Sequence, residues 1–371
     1  MNQENYRKII SGQGKGFAAG LLRLLLYIAS FFYAAVIRLR NFFYDTGVFK
    51  THKVNAVVIS VGNITAGGTG KTPLVIWLCN YLHQQNISCA IITRGYKSAT
   101  KSPQLHVGGQ QPQATSDEPA VIAKSCPDAA VIINPDRIAG AKEAIEKFNA
   151  KVLILDDGFQ HRRLSRNLDI VTIDAVEPFG FERLIPAGLL REQVRSLKRA
   201  DAIVITHSDL ISNSALEVIE QRMLNVNPQL VIAKAIHQPT KIVFSDGKSA
   251  EPENLKGKKV FAFCGIGSPD SFLRTLKACG AAITGSEIYD DHYHYAEDDV
   301  ASLREKAKQL KADVIITTGK DWTKIKDFQA VSGDKNDMPF AYLEIAIKIT
   351  GGEDELRRLI TEATAGKIFK Q

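Results

Sequence analysis

Cysteine is scarce and scattered. Cys79, Cys89, Cys126, Cys264 and Cys279 make an odd count of five, with no CxxC pair and no regular framework. That excludes a cysteine-built zinc ribbon or a disulfide scaffold and fits a reducing cytosol. His52, His83, His106, His207 and His237 show no metal-ligand spacing, and no GxSxG elbow or Ser/His/Asp order is present. Internal repeats and strongly biased segments are also missing. What remains is 371 residues, 45% apolar and 23% charged, long enough for two packed domains and too apolar for global disorder.

Acid is nearly absent from one place. Within residues 1–44, Glu4 stands alone against Arg7, Lys8, Lys15, Arg23, Arg38 and Arg40, so this stretch carries +5 of the net +7. It is also the most apolar stretch of the chain. Charge and apolarity together point to an anionic membrane surface and away from nucleic acid. The uncharged run 24–37 is 14 residues, short of the roughly 20 that a perpendicular span needs. No small-residue cleavage site follows it, which argues against export. A buried core helix and a short span are the competing readings. The pattern favours an interfacial helix, with Arg23, Arg38 and Arg40 at headgroups and Phe31, Phe32, Phe42 and Phe43 in the acyl boundary.

After Lys53, short β-branched runs alternate with helical patterns. Strands are expected at 56–61, 88–93, 152–155, 169–173 and 202–206, and helices at 72–82, 138–148 and 189–198. Such alternation implies an α/β fold, a mainly parallel sheet with helices on both faces. A polar Gly/Pro/Gln-rich loop covers 97–115. A composition shift near 237–255 precedes a second set of elements: strands at 260–264 and 313–317, helices at 269–279 and 297–310. The expected ranges are an N-terminal membrane-associating helix over 1–44, a P-loop domain over 45–240 and a smaller α/β domain over 241–371 that closes over the active site.

The strand at 56–61 runs into Gly62-Asn63-Ile64-Thr65-Ala66-Gly67-Gly68-Thr69-Gly70-Lys71-Thr72-Pro73, and a helix follows. Glycines let backbone N–H groups approach phosphates closely, and the helix start adds positive potential. Residues 65–72 are therefore the candidate nucleotide contacts, with Lys71 on the β/γ-phosphates and the Thr72 hydroxyl on Mg²⁺. Thr65 departs from the usual pattern, which has glycine there. A second strand, 152–155, ends in Asp156-Asp157-Gly158, where P-loop proteins place an acid beside the metal. Gln160, His161, Arg162 and Arg163 follow at once.

GGTGKTP together with DDGFQHRRLSRNLDIV resembles the tetraacyldisaccharide 4′-kinase family of lipid A synthesis. Further matches are Arg94-Gly95-Tyr96, Ser116-Asp117-Glu118-Pro119, Asp136-Arg137, Pro186 to Glu192 (PAGLLRE), Phe263-Cys264-Gly265-Ile266-Gly267, Asp291-His292 and Lys320-Asp321, in family order from about residue 17 to 325. The resemblance implies a P-loop kinase that uses ATP and Mg²⁺. Its acceptor would be the 4′-hydroxyl of a tetra-acylated glucosamine disaccharide 1-phosphate, the lipid A precursor, giving lipid IV-A. It implies a monomer, peripheral or monotopic on the cytoplasmic face of the bacterial inner membrane.

Carried over by resemblance, Asp117 is the catalytic base and His292, or alternatively His294, the histidine that tunes it. Lys71, Asp156 and Asp157 complete the catalytic set. Thr72, Glu118 and Asp157 are the metal candidates, with the choice between Asp156 and Asp157 left open. Tyr96, Arg137, Gln160, His161, Arg191 and Glu192 would surround the lipid headgroup and phosphates. A carboxylate–imidazole base fits the chemistry, because a sugar hydroxyl must be aligned and relieved of its proton. The rival readings are a membrane-recruited regulatory ATPase and a GTPase switch. Against the first, Ala66 stands where such ATPases carry a second lysine. Against the second, Thr206-His207-Ser208-Asp209 lacks the lysine of guanine recognition.

Overall fold

Along each central strand, successive side chains enter two different apolar cores. Ile59, Ile91, Ile154 and Val204 belong to one core; Val58, Ile92 and Leu155 face a second, and Ile205 a third. A strand buried on both faces reads as a continuous apolar run, which is why these segments stand out in the sequence. The computed structural model describes residues 3–95, 104–106, 117–291, 293–332 and 338–366.

The chain forms two compact units. The first takes Met1–Ile236 and Ile347–Gln371, the second His237–Ala346. The expected C-terminal range 241–371 thus differs in its tail, which groups with the first unit.

The first unit begins with α1 (Gln3–Ile10) and α2 (Phe17–Asp45). Its strands are β1 (Val57–Asn63), β2 (Cys89–Thr93), β3 (Gln104–His106), β4 (Ala130–Ile133), β5 (Val152–Asp156), β6 (Leu168–Asp174), β7 (Ala202–Thr206) and the start of β8 (Val231–Phe244). Their order is β3-β4-β2-β5-β1-β6-β7-β8. All neighbours are parallel except the antiparallel pair β3–β4. Between them lie α3 (Lys71–Gln84), α4 (Asp117–Ser125), α5 (Arg137–Phe148) and α6 (Asn213–Val226).

The second unit holds the end of β8 with β9 (Ser249–Ala250), then β10 (Lys259–Cys264), α7 (Pro269–Ala278), β11 (Ala282–Ile288), α8 (Glu297–Gln309), β12 (Val314–Thr318), α9 (Gly319–Ile325), α10 (Gln329–Ser332) and most of β13 (Phe340–Gly351). Here β11, β10, β12 and β13 are parallel neighbours in that order. Back in the first unit, α11 (Glu353–Thr364) packs Leu356, Ile360 and Ala363 into the core that α3 also fills. The α/β architecture is as expected.

One expected helix is corrected. The stretch 189–198 is not an α-helix: Leu190 bridges to Thr65, and only Val194–Arg199 coils as a 3-10 turn. Its leading residues are drawn into backbone pairing with the phosphate loop, which outweighs their helical pattern. The expected N-terminal apolar helix is present as α2, one helix of 29 residues, the one helix among the described residues long and apolar enough to cross a membrane by length and composition.

One stripe of α2 faces the protein. Ser30 donates to the Leu184 carbonyl (3.0 Å) and Tyr33 to that of Arg191 (2.9 Å). Arg40 pairs with Glu192 (3.0 Å). The opposite stripe, including Phe17, Leu21, Leu24, Phe31, Phe32, Val36 and Phe42, is exposed. Of the arginines expected at headgroups, Arg40 is therefore turned inward, and Arg23 donates to the Gly14 and Ala19 carbonyls. Phe43, expected in the acyl boundary, packs its ring on Phe49. The scattered cysteines are free thiols, yet folding brings Cys79 and Cys89 within 3.7 Å.

Candidate active site

The phosphate loop leaves β1 at its C-terminal end, the edge at which parallel α/β sheets bind ligands. Gly62 has to be glycine: a Cβ there would lie 2.6 Å from that of Phe159. Asn63 then shapes the loop from inside, donating to the Thr65 carbonyl (2.7 Å) and to Thr69 Oγ1 (3.0 Å). Gln160 donates to the Asn63 carbonyl (2.8 Å), and Thr206 to that of Thr69 (3.1 Å). Ala66 N–H donates to the Leu189 carbonyl (2.6 Å). Gly70, at φ 77°, is the left-handed residue that turns the loop into α3, so Lys71 and Thr72 open the helix. Orphan N–H groups and the helix dipole thus converge where Lys71 stands.

The neighbouring strand β5 delivers the acids. Asp156 is its last residue and Asp157 begins the turn, in the left-handed region at φ 49°. That twist sends two adjacent carboxylates to different partners. Asp156 is buried and accepts from Thr93 Oγ1 (3.0 Å). Burial first, then the negative charges of Glu118 and Asp157, push its pKa up to about 6. Asp157 meets Arg191 (2.8 Å) and Lys71 (3.6 Å). Burial opposes its charge, but Lys71, Arg191 and Arg137 outweigh burial and hold it at about 2.

The remaining expected residues divide. Arg137 is buried, and its guanidinium donates to the carbonyls of Asp156 (2.7 Å) and Asp157 (3.0 Å), fixing the acidic turn from behind. Glu192, expected beside the headgroup, is fully enclosed. Arg40, Asn41 and Arg199 take up its carboxylate at 2.8–3.1 Å, so it ties α2 to the body and is not presented to a ligand. His161 has a buried Nε2 with no hydrogen-bond partner. Burial, then Arg137, Arg166 and Arg163, push its ring down to about 4. Asp117 opens α4 and is described by its backbone alone, while Tyr96 and His292 lie outside the described residues. Thr93 and Thr206 were not legible in advance, because only the pairing of their strands in the sheet brings them to the site. His207 and Cys264 are buried, with His207 Nδ1 3.1 Å from Asp174.

The described residues gather no group of three or more His, Cys, Asp or Glu able to hold a metal by themselves. Mg²⁺ does not need one, since it takes one or two carboxylates and completes its shell with phosphate oxygens and water. The crowding of Glu118 against Asp156, which raises the latter, is the kind of charge a divalent cation relieves.

A glycine loop opening a helix, a lysine at its start and paired acids on the next strand define a P-loop phosphotransferase. The sequence model described as tetraacyldisaccharide-1-P 4′-kinase matches residues 22–365, and the chain belongs to that family. A relative from Syntrophus aciditrophicus, named tetraacyldisaccharide 4′-kinase, is 36% identical over 94% of this chain and 95% of its own. One of the same name from Halothermothrix orenii is 38% identical over 81% of this chain and 83% of its own. The Aquifex aeolicus LpxK crystal structure in complex with ATP superposes with a TM-score of 0.71 at 29% identity, covering 92% of this chain and 99% of that one. The protein is a kinase enzyme.

Proposed function

We propose that the chain transfers the γ-phosphate of ATP to the 4′-hydroxyl of a tetra-acylated glucosamine disaccharide 1-phosphate, giving lipid IV-A in lipid A synthesis. The observation that carries this reading is the meeting of Lys71, Arg191 and Asp157 beside the phosphate loop, in a chain of this family. The acceptor oxygen forms one bond to the γ-phosphorus as the bridge to ADP breaks, and the acceptor's proton passes to a base. Asp117 takes that role, tuned by His292, on the family's pattern. Lys71 and the N–H groups of residues 67–72 hold the triphosphate in line. Mg²⁺, held by Thr72, Glu118 and the Asp156–Asp157 pair, would offset charge on the phosphoryl oxygens when bound.

The exposed apolar stripe of α2 and the basic surplus around it support a place on the anionic cytoplasmic face of the inner membrane. There the enzyme acts as a monomer on a substrate that carries its own acyl chains. The test is direct. Purified protein, Mg-ATP and the tetra-acylated disaccharide 1-phosphate are incubated in detergent, and mass spectrometry follows the lipid. One added phosphate on the distal sugar is expected. Nucleotide turnover without any phosphorylated lipid would sink the proposal.

A further inference from the structure

A closed chain of hydrogen bonds runs behind the phosphate loop. Asn63, the last residue of β1, lies opposite Thr172 of β6 in the parallel register. Its amide gives one N–H to the Thr65 carbonyl (2.7 Å) and the other to Thr69 Oγ1 (3.0 Å), so one side chain grips the loop at two points four residues apart. Thr69 and Thr172 meet hydroxyl to hydroxyl at 2.7 Å, and Thr172 donates to the Gly62 carbonyl (3.2 Å). A hydroxyl has a single proton to give. Since Thr172 gives its proton to Gly62, Thr69 is the donor between the two threonines. The direction is then fixed throughout, from the Asn63 amide to Thr69, to Thr172 and back to β1.

Spacing alone puts Thr69 among the nucleotide contacts. Its hydroxyl is instead engaged inside the protein, and Thr206 holds its carbonyl (3.1 Å). Asn63, Thr69 and Thr172 are all buried. The next residue, Gly70, turns left-handed into α3, where Lys71 and Thr72 stand. Holding Thr69 by both hydroxyl and carbonyl therefore sets the aim of the N–H groups that follow it. The chain also answers the departure at position 65. With threonine where P-loops usually have their first glycine, the loop takes its left-handed turns at Gly67 and Gly70, and Asn63 fixes the carbonyl of Thr65.

We propose that Asn63, Thr69 and Thr172 are positioning residues for phosphoryl transfer, whose hydrogen-bond chain sets the loop for the nucleotide's phosphates before the nucleotide arrives. Their side chains act through the loop backbone. This rests on reading that loop as the phosphate site. A loop already held in its binding shape has less ordering to undergo when the ligand binds. Removing a link should therefore weaken nucleotide binding more than it weakens the fold. Buried hydrogen bonds in series also polarise one another, so the loss of one is felt along the chain.

The experiment compares full-length wild type, Thr172→Val, Thr172→Ser, Asn63→Asp and Thr317→Val in detergent. Thr172→Val keeps the shape and deletes the hydroxyl, Thr172→Ser restores it, and Asn63→Asp keeps the shape with no N–H to give. Thr317, in the second unit, is a buried threonine whose hydroxyl has no hydrogen-bond partner, so Thr317→Val controls for losing a buried hydroxyl as such. Mg-ATP affinity is read by displacement of a fluorescent nucleotide, kcat and both KM values by lipid phosphorylation, and Tm by scanning calorimetry. Thr172→Val should lose about 5- to 10-fold in ATP affinity, as the loss of one or two hydrogen bonds implies, and Asn63→Asp about tenfold or more. Thr172→Ser should recover most of the loss, while lipid KM throughout, and every constant of Thr317→Val, should stay within about twofold of wild type. If Thr172→Val and Asn63→Asp lower Tm yet bind Mg-ATP as tightly as wild type, the chain only supports the fold and the proposal is overturned. Should Asn63→Asp fail to fold, Thr172→Val decides alone. A wild type that binds nucleotide but phosphorylates no lipid sinks the lipid-kinase reading only, because weaker ATP binding by Thr172→Val would still uphold the chain. A wild type that binds no nucleotide overturns both.

Discussion

One guanidinium nitrogen of Arg191 donates to both carboxylate oxygens of Asp157, at 2.8 Å each. Lys71 stands 3.6 Å from the same carboxylate. The two cations share one acid, so whichever of them engages phosphate leaves the other to hold Asp157 in place. Arg191→Lys keeps the charge but gives up the planar donor set. It should lower kcat about tenfold or more, with ATP KM changed less. Steady-state kinetics on both substrates checks this; an unchanged kcat would mean that the pair is only a resting contact.

Glu192 makes a different kind of claim. Its carboxylate has no exposed surface and answers Arg40 and Arg199 together. Glu192→Gln leaves two largely enclosed guanidinium groups short of a counter-charge, which costs about 3 kcal/mol or more in stability. Urea unfolding should show that loss, while lipid KM for the surviving folded enzyme stays near wild type. A raised lipid KM at unaltered stability would return Glu192 to the headgroup.

The contrast between these neighbours shows what a sequence can and cannot display. The sheet was legible because its strands are buried on both faces and read as continuous apolar runs. The glycine loop and the acidic turn were legible because their spacing is local. Orientation was not. Arg191 and Glu192 are adjacent letters, yet one reaches the acids and the other is walled in by α2. Thr93 supports Asp156 from 63 residues away, a relation that only the β2–β5 pairing creates. Likewise the reading of 189–198 as a helix failed because those residues had a non-local partner, Thr65, that no periodicity records.

Acid should reveal two opposing titrations. An ordinary histidine titrates near 6.5, and His161 is pushed down to about 4 in the fold. Between those values the unfolded chain binds the extra proton, so stability falls as pH falls. Asp156 is pushed up from 3.8 to about 6. There the folded chain binds the extra proton, so stability falls as pH rises over nearly the same window. In the absence of nucleotide the two contributions offset. His161→Gln removes only the first, so the variant's Tm should decline relative to wild type as pH is raised from about 4 to about 6. Differential scanning at several pH values measures it, and parallel curves for the two proteins would refute the assignment.

The outward stripe of α2 can be separated from its inward one. Leu24, Phe31 and Phe32 are exposed, and no core depends on them. Ser30 and Tyr33, on the neighbouring face, bond to the body. Replacing Leu24, Phe31 and Phe32 together by serine strips the apolar face of side chains that are each worth about 1.5–3 kcal/mol when buried in lipid. Flotation with anionic liposomes should fall by an order of magnitude or more, while Tm and kcat on detergent-dispersed substrate stay within error. Tyr33→Phe should do the opposite, leaving flotation intact and disturbing turnover through the Arg191 carbonyl that its hydroxyl holds. If the triple variant still floats with the vesicles, the helix is not what brings this enzyme to lipid.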